Sequence, residues 1–297
     1  MQREASAGEL TSARSIWASD WRSIRRKLVD QLMLWVVVFC AGLGVAVLAI
    51  ILIDVFAKGW SALNPAFFTE RPLPLGEEGG GVAPAIVGTL LMLAVASLIG
   101  VPVGVGTAIY LAEYGRGQFA AAVSYTIDLL AGVPSIVIGV FVWAVVVRNV
   151  FGAFSGLAGA IALSLIMIPI VTRTVEEMLR LVPDTYREAA LGLGVSRAKT
   201  ILHVVIPTAK GGIVTGVVLA MARAGGETAP LVLTALGNQF FNFDLRQPMA
   251  ALPLQIYSYA SSPYADWHTK AWGSALVLII VIAILSALTR LATRRRL

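Results

Sequence analysis

Charge is what this sequence has least of. Asp, Glu, Lys and Arg make up 13% of its 297 residues, whereas a soluble globular domain carries about 25%. With a mean hydropathy of +0.81, such a chain would aggregate in water unless lipid were its solvent, so the soluble classes are excluded. Cysteine is nearly absent too. A lone Cys40 rules out an internal disulfide and a cysteine-based metal cluster. The two histidines, His203 and His268, flank different apolar runs and do not make a zinc pattern. No G-x-x-x-x-G-K-[S/T] run occurs, so any ATP that drives this protein is hydrolysed on another chain. Nor does any polar segment carry a nucleophile, base and carboxylate in an enzyme-like constellation. The first thirty residues are polar and the apolar run after them is too long for a secretory signal.

What is present is six apolar runs, over 32–56, 82–110, 124–147, 157–171, 211–236 and 271–288. Most approach or exceed the ~20 residues that span a bilayer. This gives an all-α integral membrane protein with a tail over 1–30, one membrane domain over 31–290 and a short basic tail over 291–297. Lys and Arg decide the orientation. Arg22, Arg25, Arg26 and Lys27 crowd the first span, and Arg290, Arg294, Arg295 and Arg296 follow the last. On the opposite side stand only Lys58, Arg71, Arg148, Arg246 and Lys270. That bias puts both termini in the cytoplasm. The outer loop over 58–81, with Pro65, Pro72, Pro74 and a Glu/Gly run over 77–81, reads as irregular; the one over 237–270 carries Phe240, Phe241 and Phe243 and a Tyr/Trp belt. Gly100, Gly104 and Gly106 in the second span permit close helix contact.

The longest polar interval lies between the fourth and fifth spans, over about 176–210. Pro183 blocks backward extension and Asp184 caps a short helix over 184–193. Gly192 and Gly194 allow a bend, 195–205 forms a second short helix, and Pro207 closes the unit. The fifth span, read as one helix, holds two charges, Arg223 and Glu227, each costing about 2.5–3.5 kcal/mol to insert. Their i,i+4 spacing puts them on one face. Two readings stand: an anion pathway in which Arg223 is the donor and Glu227 its restraint, or an ion pair locking subunits together. Thr228 either donates to the anion or bonds its own backbone. Arg173, at the end of the fourth span, is either an exit-side anion contact or a positive-inside anchor. Asp128 awaits a cation that the sequence does not name.

Glu188-Ala189-Ala190, then Gly194, then Val204, Ile206 and Pro207 resemble the EAA loop of ABC-importer permeases. Ala222-Arg223-Ala224-Gly225-Gly226-Glu227-Thr228-Ala229-Pro230-Leu231, with Gly132-Val133-Pro134-Ser135 and Gln247-Pro248-Met249, is similar to the PstA family of permeases from phosphate-specific importers. The resemblance implies the type I importer permease fold in a bacterial inner membrane. It implies a non-catalytic subunit with no cofactor of its own, ATP and Mg being held by two copies of a PstB-like ATPase. A PstC-like second permease and a PstS-like extracytoplasmic phosphate-binding protein complete the complex. Inorganic phosphate and lipid are the other partners, and nucleic acid is not one. Carried over are Glu188, Ala189, Ala190, Gly194 and Pro207 for coupling, and Arg223 and Glu227 for the pathway; Thr228 and Arg173 are pathway candidates from their position in the sequence alone. The alternatives are an importer of another oxyanion, sulfate or molybdate, and an ATPase-independent channel or secondary transporter. The last would show paired broken helices, and none is read from the sequence.

Overall fold

The computed structural model describes residues 2–74, 77 and 79–294. Among them regular structure is helical, with one isolated β-bridge between Leu236 and Met249. Five helices are long and apolar enough to cross a membrane, and a bent pair makes a sixth crossing if counted as one. Arg295 and Arg296 lie outside the described residues, as does Glu78.

Residues 1–54 form one unit and 55–297 another. The first is carried by α1 (Gln2–Gly59), which starts well before the first apolar run: the polar stretch expected as a tail continues the same helix. Apolar side chains over 32–53 are exposed around its whole circumference, as suits a helix that meets hydrocarbon.

The second unit is built around α6 (Gly156–Arg180), whose Met167, Val171, Val175 and Leu179 are fully buried. Packed on it are α3 (Ala83–Ile109) and α9 (Ile206–Gly225). Glycine sets the α3–α6 distance. A Cβ on Gly104 would fall 2.8 Å from Val171 Cβ, and one on Gly100 3.2 Å from Met167 Cβ. No atom outside its own helix turns lies within 4 Å of that point at Gly106, which therefore takes no part in the close contact. The Thr172 hydroxyl donates to the Gly104 carbonyl at 3.3 Å.

Three spans differ from the sequence expectation. The third is broken into α4 (Gly117–Gly132) and α5 (Ser135–Val142), the latter running on as a π-helix (Trp143–Phe151), with a 105° turn between the two halves. Val133 precedes a proline, is thereby driven out of the helical region and takes φ −70°, ψ 130°. The fourth does not end at Arg173 but continues to Arg180. The fifth stops at Gly225, and a separate α10 (Ala229–Thr234) follows Gly226, Glu227 and Thr228; paired glycines end a helix cheaply and Pro230 starts the next.

The polar interval also differs in its second half. α7 (Asp184–Gly192) matches the expected short helix, but α8 (Arg197–Thr200) passes through a π segment (Ile201–Val205) into α9 without a break. Pro207 therefore does not close a unit. It sits in the first turn of α9, where a missing N–H is tolerated, directly after the widened turn.

The described residues of the loops over 58–81 and 237–270 are more ordered than composition implies. Asn64 accepts from Phe67 N at 2.8 Å to start α2 (Pro65–Thr69), and Phe67 is buried. In the loop over 237–251, the carbonyls of Leu245 and Gln247 accept the first N–H groups of α6 at 2.8 and 2.9 Å, satisfying donors that a helix start leaves open. This loop leads into α11 (Leu252–Ala260) and α12 (Ala265–Arg294).

Candidate functional site

The second halves of the two broken spans pack on each other: a Cβ on Gly139 of α5 would stand 2.7 Å from Pro230 Cα of α10. Where α4, α5, α6 and α9 approach one another there is an open cavity of about 470 Å³, lined among others by Val133, Ser135, Pro169, Ile170, Leu219 and Arg223. Irregular backbone at membrane depth survives only when protein covers it or it lines a wet cavity. The first break lines this cavity at Val133 and Ser135, and the second begins two residues past Arg223.

Arg223 is the cavity's cation. Its side chain is 63% exposed, and its Nε lies 3.8 Å from Glu227 Oε1, which is 16% exposed. The two are not on one continuous helix, because α9 ends between them. The pair is held by the turn instead, through Gly226 N to Arg223 O and Glu227 N to Ala224 O, both 3.2 Å. At 3.8 Å the carboxylate attracts the guanidinium without taking up its N–H groups. Arg223 donates no hydrogen bond among the described residues.

Ser135 lines the same cavity, and its hydroxyl has no hydrogen bond among the described residues. Other membrane hydroxyls return to a carbonyl one turn back, as Thr89 to Ala85, Ser97 to Leu93 and Thr107 to Val103 do at 2.7–2.8 Å. Ser135 opens its helix and has no turn behind it. Thr228 precedes α10 and makes no side-chain cap bond; of its two readings, the bond to its own backbone is not formed among the described residues.

Arg173 is differently placed. It forms a fork on Asp128, Nε to Oδ1 at 2.8 Å and Nη2 to Oδ2 at 2.6 Å. It also donates to Glu176 at 2.7 Å and to the Ser124 carbonyl and hydroxyl at 2.8 and 2.7 Å. In this conformation all three guanidinium nitrogens are engaged, and the side chain ties α4 to α6. Asp128 thus has its cation.

The third group lies around α7. Glu188, Ala189 and Gly194 are exposed, Ala190 is buried, and Leu193 is 85% exposed. Gly194 takes φ +81°, which glycine adopts without penalty, while its N–H caps the helix through Leu191 O at 2.9 Å. Asp184 makes no cap bond; its carboxylate accepts from Arg187 at 3.1 Å. Arg187 reaches the buried Glu113 at 2.6 Å. Hydrogen bonding to Glu113 foremost, with the Glu113 and Asp184 charges, raises the Arg187 pKa above its ordinary value against the opposing effect of burial.

Comparison with known proteins gives the chain its family. Residues 100–296 match the family described as binding-protein-dependent transport system inner membrane component. The chain is 43% identical over 267 residues to the phosphate transport system permease protein PstA of Pasteurella multocida, covering 90% of this chain and 95% of the relative. It is 44% identical over 250 residues to PstA 1 of Mycobacterium tuberculosis, covering 82% of each. The chain belongs to this family, in its PstA branch. A solved MetNI methionine ABC transporter shares the fold, with TM-score 0.56 at 20% identity over 72% of this chain and 93% of that one. A PstA-family chain is a multi-pass membrane protein and a transport component, the permease subunit of an ABC transporter.

Of the expected site residues, the structure brings Arg223 and Glu227 together beside the cavity and gathers Glu188, Ala189, Ala190 and Gly194 on α7 and its bend. Arg173 stands apart in its own ion-pair network. Sequence reading passed over Ser135, Glu113 and Arg187. The signal for Ser135 was present in Val133-Pro134, a pair that opposes a continuous helix. Glu113 carries no local signal, since nothing near it in the chain links it to a residue 74 positions away.

Proposed function

We propose that this chain forms half of the pathway of an ATP-driven inorganic phosphate importer. The observation that carries the reading is Arg223, a permanent cation with uncommitted donors facing a cavity at two helix breaks, in a chain 43% identical to a phosphate permease. A planar guanidinium matches two oxygens of an oxyanion at once. Glu227 offsets part of the charge, which keeps the anion from binding too tightly to leave. Ser135 and Thr228 add neutral donors at the ends of the broken helices. Arg173 serves on the cytoplasmic side, reachable by phosphate once Asp128 lets go.

The remaining parts lie on partner chains. A PstC-like permease completes the pathway, and a PstS-like protein delivers phosphate from outside. Two PstB-like ATPase subunits hold ATP and Mg beneath, this chain having no cofactor. Both termini lie in the cytoplasm of an inner-membrane protein. Nucleotide-driven closure of the ATPase pair pushes the surface formed by Glu188, Ala189, Ala190 and Gly194, and the continuous helix through Pro207 carries the push into the span bearing Arg223.

The test is uptake of labelled phosphate at low concentration, with sulfate as competitor, in cells lacking their own high-affinity system. Uptake indifferent to sulfate is expected. Arg223→Gln removes a charged hydrogen bond worth about 1.5–3 kcal/mol, so uptake falls about 10- to 100-fold while ATP hydrolysis by the assembled complex persists. Unchanged uptake by that variant overturns the pathway role; sulfate transport in place of phosphate overturns the substrate.

A further inference from the structure

Glu113 is a carboxylate with 4% of its side chain exposed, at the end of a helix and not among the cavity's lining residues. It belongs to a π segment (Tyr110–Tyr114) that continues α3. Arg187 of α7 grips it with Nε at 3.1 and 3.3 Å from the two carboxylate oxygens and Nη2 at 2.6 Å from Oε1. The same guanidinium donates to the carbonyls of Leu179 at 2.9 Å and Val182 at 2.6 Å, which lie where α6 ends. Beyond the Gly194 bend, Arg197 donates to the Glu113 carbonyl and lies 5.0 Å over the Tyr114 ring. Residues on both sides of the bend are thus fastened to one point on α3.

We infer that the Glu113–Arg187 pair is the joint that passes displacement of α7 to α3, making Glu113 a positioning residue for coupling. The inference rests on the coupling role given to α7 above. Connectivity alone joins that interval to α6 and α9. The joint adds α3, and α3 and α6 touch too closely at Gly100 and Gly104 to slide freely. A push on α7 therefore moves α3 and α6 as one body, and α6 carries Pro169 and Ile170 in the cavity wall. An ordinary surface ion pair yields under load, because water replaces either partner. A buried fork with two further carbonyl bonds does not.

The experiment uses the full complex in proteoliposomes and reads ATP hydrolysed per phosphate imported. Glu113→Gln keeps an acceptor but removes the charge, and Arg187→Lys keeps the charge but loses the fork. Each is expected to raise the ratio about fivefold, with the ATPase still bound and the phosphate KM unchanged; the double variant is expected to be no worse than the more severe single one. Glu113→Asp, which keeps the buried charge and shortens its reach, is read the same way if Glu113→Gln does not assemble. A wild-type ratio in any of these variants that assembles overturns the inference. So does loss of the ATPase from all of them, which makes the pair a structural strut. Gly194→Val separates this result from failure of the coupling role itself: if it uncouples while Glu113→Gln does not, only the joint fails.

Discussion

Three arginines of this chain do different work because their surroundings leave them different numbers of free donors. Arg173 is spent on Asp128, Glu176 and Ser124. Arg187 is spent on Glu113 and the end of α6. Arg223 alone of the three keeps its N–H groups, its carboxylate standing off at 3.8 Å. Ser135 repeats the contrast among hydroxyls, being free where its helical counterparts are bonded backwards. A neutral hydrogen bond contributes about 0.5–1.5 kcal/mol. Ser135→Ala should therefore raise the phosphate KM about 2- to 10-fold without changing assembly, and uptake kinetics with the purified complex would measure it. An unchanged KM would remove Ser135 from the pathway.

The polar interval works as an element because of one backbone angle. No atom outside its neighbours lies within 4 Å of a Cβ added at Gly194, so the position is glycine for its φ of +81° rather than for space. A side chain in the left-handed region costs about 1–2 kcal/mol, most for a β-branched one, and asparagine tolerates it best. Gly194→Val should accordingly uncouple hydrolysis from uptake or release the ATPase, while Gly194→Asn keeps most of the activity. Equal damage from both would show that the side chain's bulk at the docking surface, not the bend, is what matters. The broken spans follow a related rule. Val133-Pro134 and Gly225-Gly226 end helices within apolar runs; the backbone freed at Val133 borders the cavity, and Gly225 is covered by protein. Paired breaks are also what an ion-coupled transporter would show; it is membership of the ABC permease family that assigns them here.

Within the unit over 55–297 α6 joins the parts. Its middle lines the cavity, Arg173 binds it to α4, and its end meets Arg187. The proposed orientation has the Gly194 bend in the cytoplasm and the loop over 237–251 outside. In a Cys40→Ser background, Asn238→Cys should react with a membrane-impermeant maleimide in intact cells, and Leu193→Cys only after permeabilisation. The reverse pattern would invert the topology and with it the ATPase-facing role of α7.

Hydropathy made the number and order of spans legible, since bilayer thickness fixes span length whatever the packing. The short helix from Asp184 and the bend at Gly194 were legible because proline and glycine act locally. The membrane arginine and glutamate stood out because charge in an apolar run is costly wherever it lands. Other features needed the tertiary structure. A proline before a serine or a pair of glycines is compatible with a kink as well as a break, and only the packing of α5 on α10 settles a 105° turn. Pro207 inside a continuous helix depended on the π segment before it. The partners of Asp128, Glu113 and Arg187 lie 45 to 74 residues away, and local pattern holds no record of such distances. The sequence by itself determined the solvent of this protein, its spans and its family's motifs, which are set by composition and short-range geometry. The tertiary structure decided which charges are spent and which are free, because that depends on which helices are brought face to face.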